Sequence, residues 1–97
     1  MNIQAMMAQA KKLQSQLEKT TKEIESTTYK YENENVLVEA LGNNKITTIQ
    51  IKNNDILEDT EMLGDILLVA VNDVLKQIKD DKDKKLGKYT NGLGGLF

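Results

Sequence analysis

The chain has 97 residues, 39% of them hydrophobic and 29% charged, with a formal net charge of −2 and neither cysteine nor histidine. A single domain of this length hides only about two-thirds of the surface that its unfolded form exposes, so its own core is thin. Without thiols or imidazoles there is no disulfide framework, no thiolate or histidine catalysis and no ordinary transition-metal site, and a reducing compartment, the cytoplasm, is the expected home.

The average charge conceals a partition. Residues 1–26 hold four lysines against three acids, residues 27–75 three against nine, and residues 76–97 six against three. Arginine is absent, which removes the side chain best suited to reading guanine with two parallel hydrogen bonds. Any contact with nucleic acid is therefore expected to be with phosphate.

The opening MNIQAMMAQAKKLQSQLEK has neither the charged start nor the continuous apolar stretch of a signal peptide, and the longest aliphatic run, residues 66–71, is too short to span a bilayer. No membrane is expected. Ile3, Met6, Ala10, Leu13, Leu17, Thr20 and Ile24 recur at alternating spacings of three and four, the seam of a coiled coil, and predict one helix over about 2–26. At 100° per residue Lys11, Lys12, Lys19 and Lys22 share an arc of about 100° opposite that seam. Such a stripe is either a solvated outer face or a track for phosphates, and charge position alone does not separate the two.

Three strands follow at about 27–33, 35–41 and 45–52, rich in β-branched and aromatic residues. Turn residues at Asn33 to Asn35 and in the Gly42-Asn43-Asn44 link suit an antiparallel meander. Ile46 is out of phase with Ile49 and Ile51, which fits either a bulge or a loose strand start. Tyr29 and Tyr31 suit a sheet face better than stacking on bases.

Asp55 and Asp59 are start signals for a second helix over about 59–86, with 55–58 a possible separate turn and Gly87 placed to stop it before a flexible tail, 88–97. The aliphatic residues of this helix cover well over half its circumference. One small sheet cannot cover them all, so one face is expected on the chain's own sheet and the other on a second copy. The residues expected at that interface are Leu63, Ile66, Leu67, Ala70, Val71, Val74, Leu75 and Ile78.

No cofactor, metal, catalytic group or small-molecule substrate is expected. Asp80, Asp81 and Asp83 lie among lysines in an exposed segment, where burial cannot tune a carboxylate for acid–base work. Their spacing is not that of a calcium loop. The glycines of NGLGG follow no strand and precede no GK[ST] sequence, so they form no phosphate cradle.

Three stretches, MMAQAKKLQSQLEK, EDTEMLGDILLVAVNDVLKQI and LGKYTNGLGGLF, resemble the YbaB/EbfC family of small bacterial nucleoid-associated proteins, and the second is the most specific. The resemblance implies an α+β fold: a long helix, a three-stranded antiparallel sheet and a second long helix, intertwined as a homodimer whose helices project like tweezers. It also implies duplex DNA as ligand, bound with little selectivity. Lys11, Lys12, Lys19 and Lys22 with Lys82, Lys84, Lys85 and Lys88 are the residues expected to meet phosphate.

Against the family pattern, the chain is expected to lack the short glycine- and basic-rich leader that members commonly carry before the first helix, and it has Thr47 and Thr48 where many members carry basic residues and no proline in the tail. Weaker DNA affinity is the expected consequence. A module that docks a protein partner on its long helices is the alternative, with the acidic middle segment in its favour.

Overall fold

A computed structural model describes residues 2–94, with side chains through Tyr89. Helix α1 spans Ile3–Glu25, strands β1, β2 and β3 span Thr28–Glu32, Val36–Leu41 and Ile46–Ile51, a short 3-10 turn spans Asn54–Glu58, and helix α2 spans Thr60–Gly94. The α+β order read from the sequence is the order of the fold.

Each element begins or ends on a local device. Asn2 caps α1, its Oδ1 accepting from the backbone N–H of Gln4 at 3.0 Å and of Ala5 at 3.4 Å. Asn33 Oδ1 accepts from the N–H groups of Asn35 and Val36 at 2.8 and 3.0 Å and so closes the β1–β2 turn. In the β2–β3 turn Asn44 takes φ 68°, a left-handed conformation that asparagine tolerates better than most residues. Asp59 Oδ1 accepts from Met62 N–H at 3.0 Å, at the start of α2.

The strands form one antiparallel sheet in the order β1-β2-β3. Glu39 pairs with Thr48 while the next residue, Ala40, pairs with Ile46, leaving Thr47 as the extra residue of a bulge. The phase break in β3 is thus a bulge and not a loose start. It places Ile46, Ile49 and Ile51 opposite Ala40, Val38 and Val36, all on one face.

That face packs against α2. Tyr29, Val36, Val38, Ala40, Ile56, Ala70, Val74 and Ile78 form the buried core, with Ala70, Val74 and Ile78 wholly enclosed. These three had been expected at a subunit interface; their spacing of four residues instead lays them on the chain's own sheet.

Helix α1 joins this body at its C-terminal end. Ile24 is buried, Leu13, Leu17 and Thr20 are half-buried, and residues 2–12 are exposed throughout. Helix α2 continues past Gly87 to Gly94, contrary to the expected stop. No described glycine has positive φ, so Gly87 does not adopt the left-handed geometry that ends a helix. A tertiary contact also holds the segment, since Thr20 Oγ1 and Tyr89 Oη lie 3.4 Å apart. Of the tail expected over 88–97, residues 95–97 lie outside the described residues. The chain extends 69 × 21 × 15 Å, a small body with a long helical arm.

Candidate nucleic-acid interface

The arm is built from α1 and the C-terminal half of α2. Leu13, Gln16, Lys19, Thr20 and Glu23 of α1 face Lys88 and Tyr89 of α2 across a shallow cleft. Two of the expected lysines, Lys19 and Lys88, thus line one cleft, and Lys88 Nζ sits 5.1 Å from the centroid of the Tyr89 ring.

Lys11, Lys12, Lys19 and Lys22 are all exposed on the outer arc of α1. Glu18 and Glu23 stand four residues from Lys22 and Lys19, yet none of these lysines forms an ion pair among the described residues. The lysines of α2 behave differently. Lys85 Nζ is 2.9 Å from Asp81 Oδ2, Lys76 is 2.8 Å from Asp80, and Lys79 is 3.4 Å from Asp83, each pair one helical turn apart. Of the four α2 lysines expected to meet phosphate, Lys82, Lys84 and Lys88 form no direct ion pair among the described residues, although the charge of Lys84 acts on Asp81, and Lys85 forms one.

Asp81 joins the arm to the body. Tyr29 Oη donates to its Oδ2 at 2.5 Å, and that bond, with the Lys85 ammonium beside it, holds the Asp81 carboxyl below the usual carboxylate range. Burial first, and then the same carboxylate, push the Tyr29 phenol up to about 12. No pattern of spacing signals this link, because Tyr29 and Asp81 stand 52 positions apart.

On the body, Lys52 and Lys30 both reach Glu32, at 3.0 and 3.6 Å, and Lys52 above all holds that carboxyl below its ordinary value. Gln77 Nε2 donates to Asp73 Oδ1 and to the Lys30 carbonyl, at 2.7 and 2.9 Å, tying α2 to edge strand β1.

Of the residues expected between subunits, Leu63, Ile66, Leu67, Val71 and Leu75 are half-buried against the core. On the body, the more exposed apolar side chains are not those expected between subunits: Leu68 at 60%, Val69 at 58%, Ile49 at 53%, Leu57 at 47% and Met62 at 43%. Leu68 and Val69 lie in the same aliphatic run, but periodicity does not say which of its members the sheet leaves uncovered.

Among the described residues no cluster of three or more His, Cys, Asp or Glu is placed to hold a metal, and no helix is long and apolar enough to cross a membrane. An exposed arm that offers unpaired ammonium groups has the chemistry of an anion-binding surface.

Comparison with known proteins makes that class specific. The sequence model of the YbaB/EbfC DNA-binding family matches residues 1–93. A nucleoid-associated protein of Lactococcus lactis subsp. cremoris (strain MG1363) is 43% identical over 97 residues, covering 96% of this chain and 97% of its own. Others from Ligilactobacillus salivarius (strain UCC118) and Enterococcus faecalis (strain ATCC 700802 / V583) are 36% and 35% identical, covering 99% and 98% of this chain and 95% and 94% of their own. The chain belongs to the YbaB/EbfC family, which is a family of nucleoid-associated DNA-binding proteins and not of enzymes.

Proposed function

We propose that this chain binds duplex DNA as a homodimer in the cytoplasm, at the nucleoid, through lysine–phosphate contacts with little sequence selectivity. The observation that carries the reading is the outer arc of α1, where Lys11, Lys12, Lys19 and Lys22 stand exposed without acidic partners among the described residues. An ammonium on a flexible stem is a point charge that suits phosphate and carries little base information. Lys82, Lys84 and Lys88 of the α2 arm extend this set, and a second subunit doubles it.

Self-association is supported by the apolar surface left on the body. Leu68 and Val69 of α2 and Ile49 of β3 are each more than half exposed, and leaving a Leu, Val or Ile in water forgoes about 1.5–3 kcal/mol. Leu63, Ile66, Leu67, Val71 and Leu75 border that surface and contribute their exposed parts to the interface.

The test is fluorescence anisotropy of a labelled duplex of arbitrary sequence, titrated at several salt concentrations. Lysine–phosphate binding gives a log affinity that falls with log salt at about −0.9 per phosphate neutralised. Replacing Lys11, Lys12, Lys19 and Lys22 by glutamine flattens that slope. Affinity unchanged by the replacement rejects the site, and no binding by the folded protein at low salt rejects DNA as the ligand.

A further inference from the structure

The outward face of α2 carries a second row of lysines that differs from the row on α1. Lys76, Lys79, Asp80 and Asp83 lie, at 100° per residue, within an arc of about 100° opposite Ala70, Val74 and Ile78. All four side chains are more than half exposed, and they form two ion pairs, Lys76 with Asp80 at 2.8 Å and Lys79 with Asp83 at 3.4 Å. The stripe sums to zero charge. The α1 arc has four lysines and no such pairing among the described residues.

We propose that Asp80 and Asp83 set the affinity of the arm: they act as resident counterions that keep Lys76 and Lys79 out of phosphate contact, so that DNA is held by the other lysines. The inference rests on the DNA-binding reading above. Pairs this exposed are weak and do not lock the lysines in place. Their effect is on the ligand. A phosphate that approaches Lys76 also meets the Asp80 carboxylate beside it, and a site of zero net charge displaces no condensed cations from DNA, which is the source of affinity in this kind of binding.

The same duplex titration tests this, with helix content checked by circular dichroism in every variant. Asp80→Asn/Asp83→Asn leaves Lys76 and Lys79 unpaired and steepens the salt slope by up to about 1.8, two further phosphates at 0.9 each. Lys76→Gln/Lys79→Gln leaves the slope as it was, since no phosphate contact is lost, and lowers affinity only through the two carboxylates it bares. Glu34→Gln/Glu58→Gln, which removes two charges from the body, controls for the change in net charge.

The proposal is overturned if Lys76→Gln/Lys79→Gln flattens the slope as much as Lys19→Gln/Lys22→Gln does. It is equally overturned if the aspartate variant gains no more than the glutamate control. DNA binding by the unmodified chain in those cases leaves the functional reading intact. Binding by the aspartate variant alone supports the masking, whereas binding by neither at low salt rejects the functional reading together with the inference.

Discussion

Tyr29 on the edge strand β1 donates its phenolic proton to Asp81 Oδ2 on α2 at 2.5 Å, and Lys85 Nζ meets the same oxygen at 2.9 Å. Because the folded state raises the tyrosine to about 12, well above its ordinary 10.0, its contribution is complete below pH 10 and is lost as pH rises toward 12. Asp81 is shifted the other way, and its contribution is complete above the ordinary aspartate range and lost as pH falls through its depressed value. Tyr29→Phe is expected to lower stability by about 1 kcal/mol at neutral pH. It should also reduce the alkaline loss, as read from urea unfolding at pH 8 and pH 11; an unchanged alkaline loss would show that the bond does not couple to titration.

Gly42 stands where α1 meets the sheet. A Cβ built there would lie 1.9 Å from the Ile24 carbonyl oxygen and 2.9 Å from Ile24 Cγ2, and backbone cannot yield as a flexible side chain can. Gly42→Ala is therefore expected to cost more than about 3 kcal/mol, at the upper end of single substitutions, or to detach α1 from the body. Thermal unfolding separates this from a tolerated change, since a Tm within a few degrees of the parent would mean that the contact relaxes.

Leu68 tests the apolar surface. At 60% exposure it contributes little to the protomer's own core, so Leu68→Glu should leave the circular dichroism spectrum intact. In the proposed dimer that charge enters the subunit interface, where it is costly, and sedimentation equilibrium should show the mass fall from dimer to monomer. Ile78→Ala, by contrast, empties a wholly enclosed position and should cost about 2–5 kcal/mol. If Leu68→Glu stays dimeric, the interface lies elsewhere.

Asn2 is the cap of a helix whose first ten residues have no cover from the rest of the described chain. Asn2→Ala should cost about 1 kcal/mol of local helix stability. The loss is expected as faster amide exchange in residues 3–10, with little change in global unfolding.

Periodicity made the elements legible because spacing alone carries it: the three-and-four rhythm of α1 and the aliphatic run of α2 each define an element without knowledge of its partners. What each residue faces is a tertiary matter. Ala70, Val74 and Ile78 look no different in sequence from Leu68 and Val69, yet the sheet covers the first set and leaves the second in solvent. Gly87 carries the right residue type for a stop, but the helix continues beside Thr20, and that contact is 69 positions away. Likewise the i,i+4 spacing of Asp81 and Lys85 is readable, whereas the selection of Asp81 by Tyr29 is not. The bulge lies between these cases, since its phase break was visible and its nature was not.

Helix α2 passes without interruption from the residues clamped by the sheet to the arm. From Ile78 to Gly94 it rises about 24 Å, at about 1.5 Å per residue. It works as a rigid lever with its fulcrum in the core, where a tilt of ten degrees sweeps the tip through about 4 Å. Lys88, ten residues beyond Ile78, moves through about 2.6 Å at the same tilt. Volume changes at Ala70, Val74 or Ile78 therefore re-aim the distal lysines as well as altering stability, and an enclosed methyl group becomes a control on where the arm points.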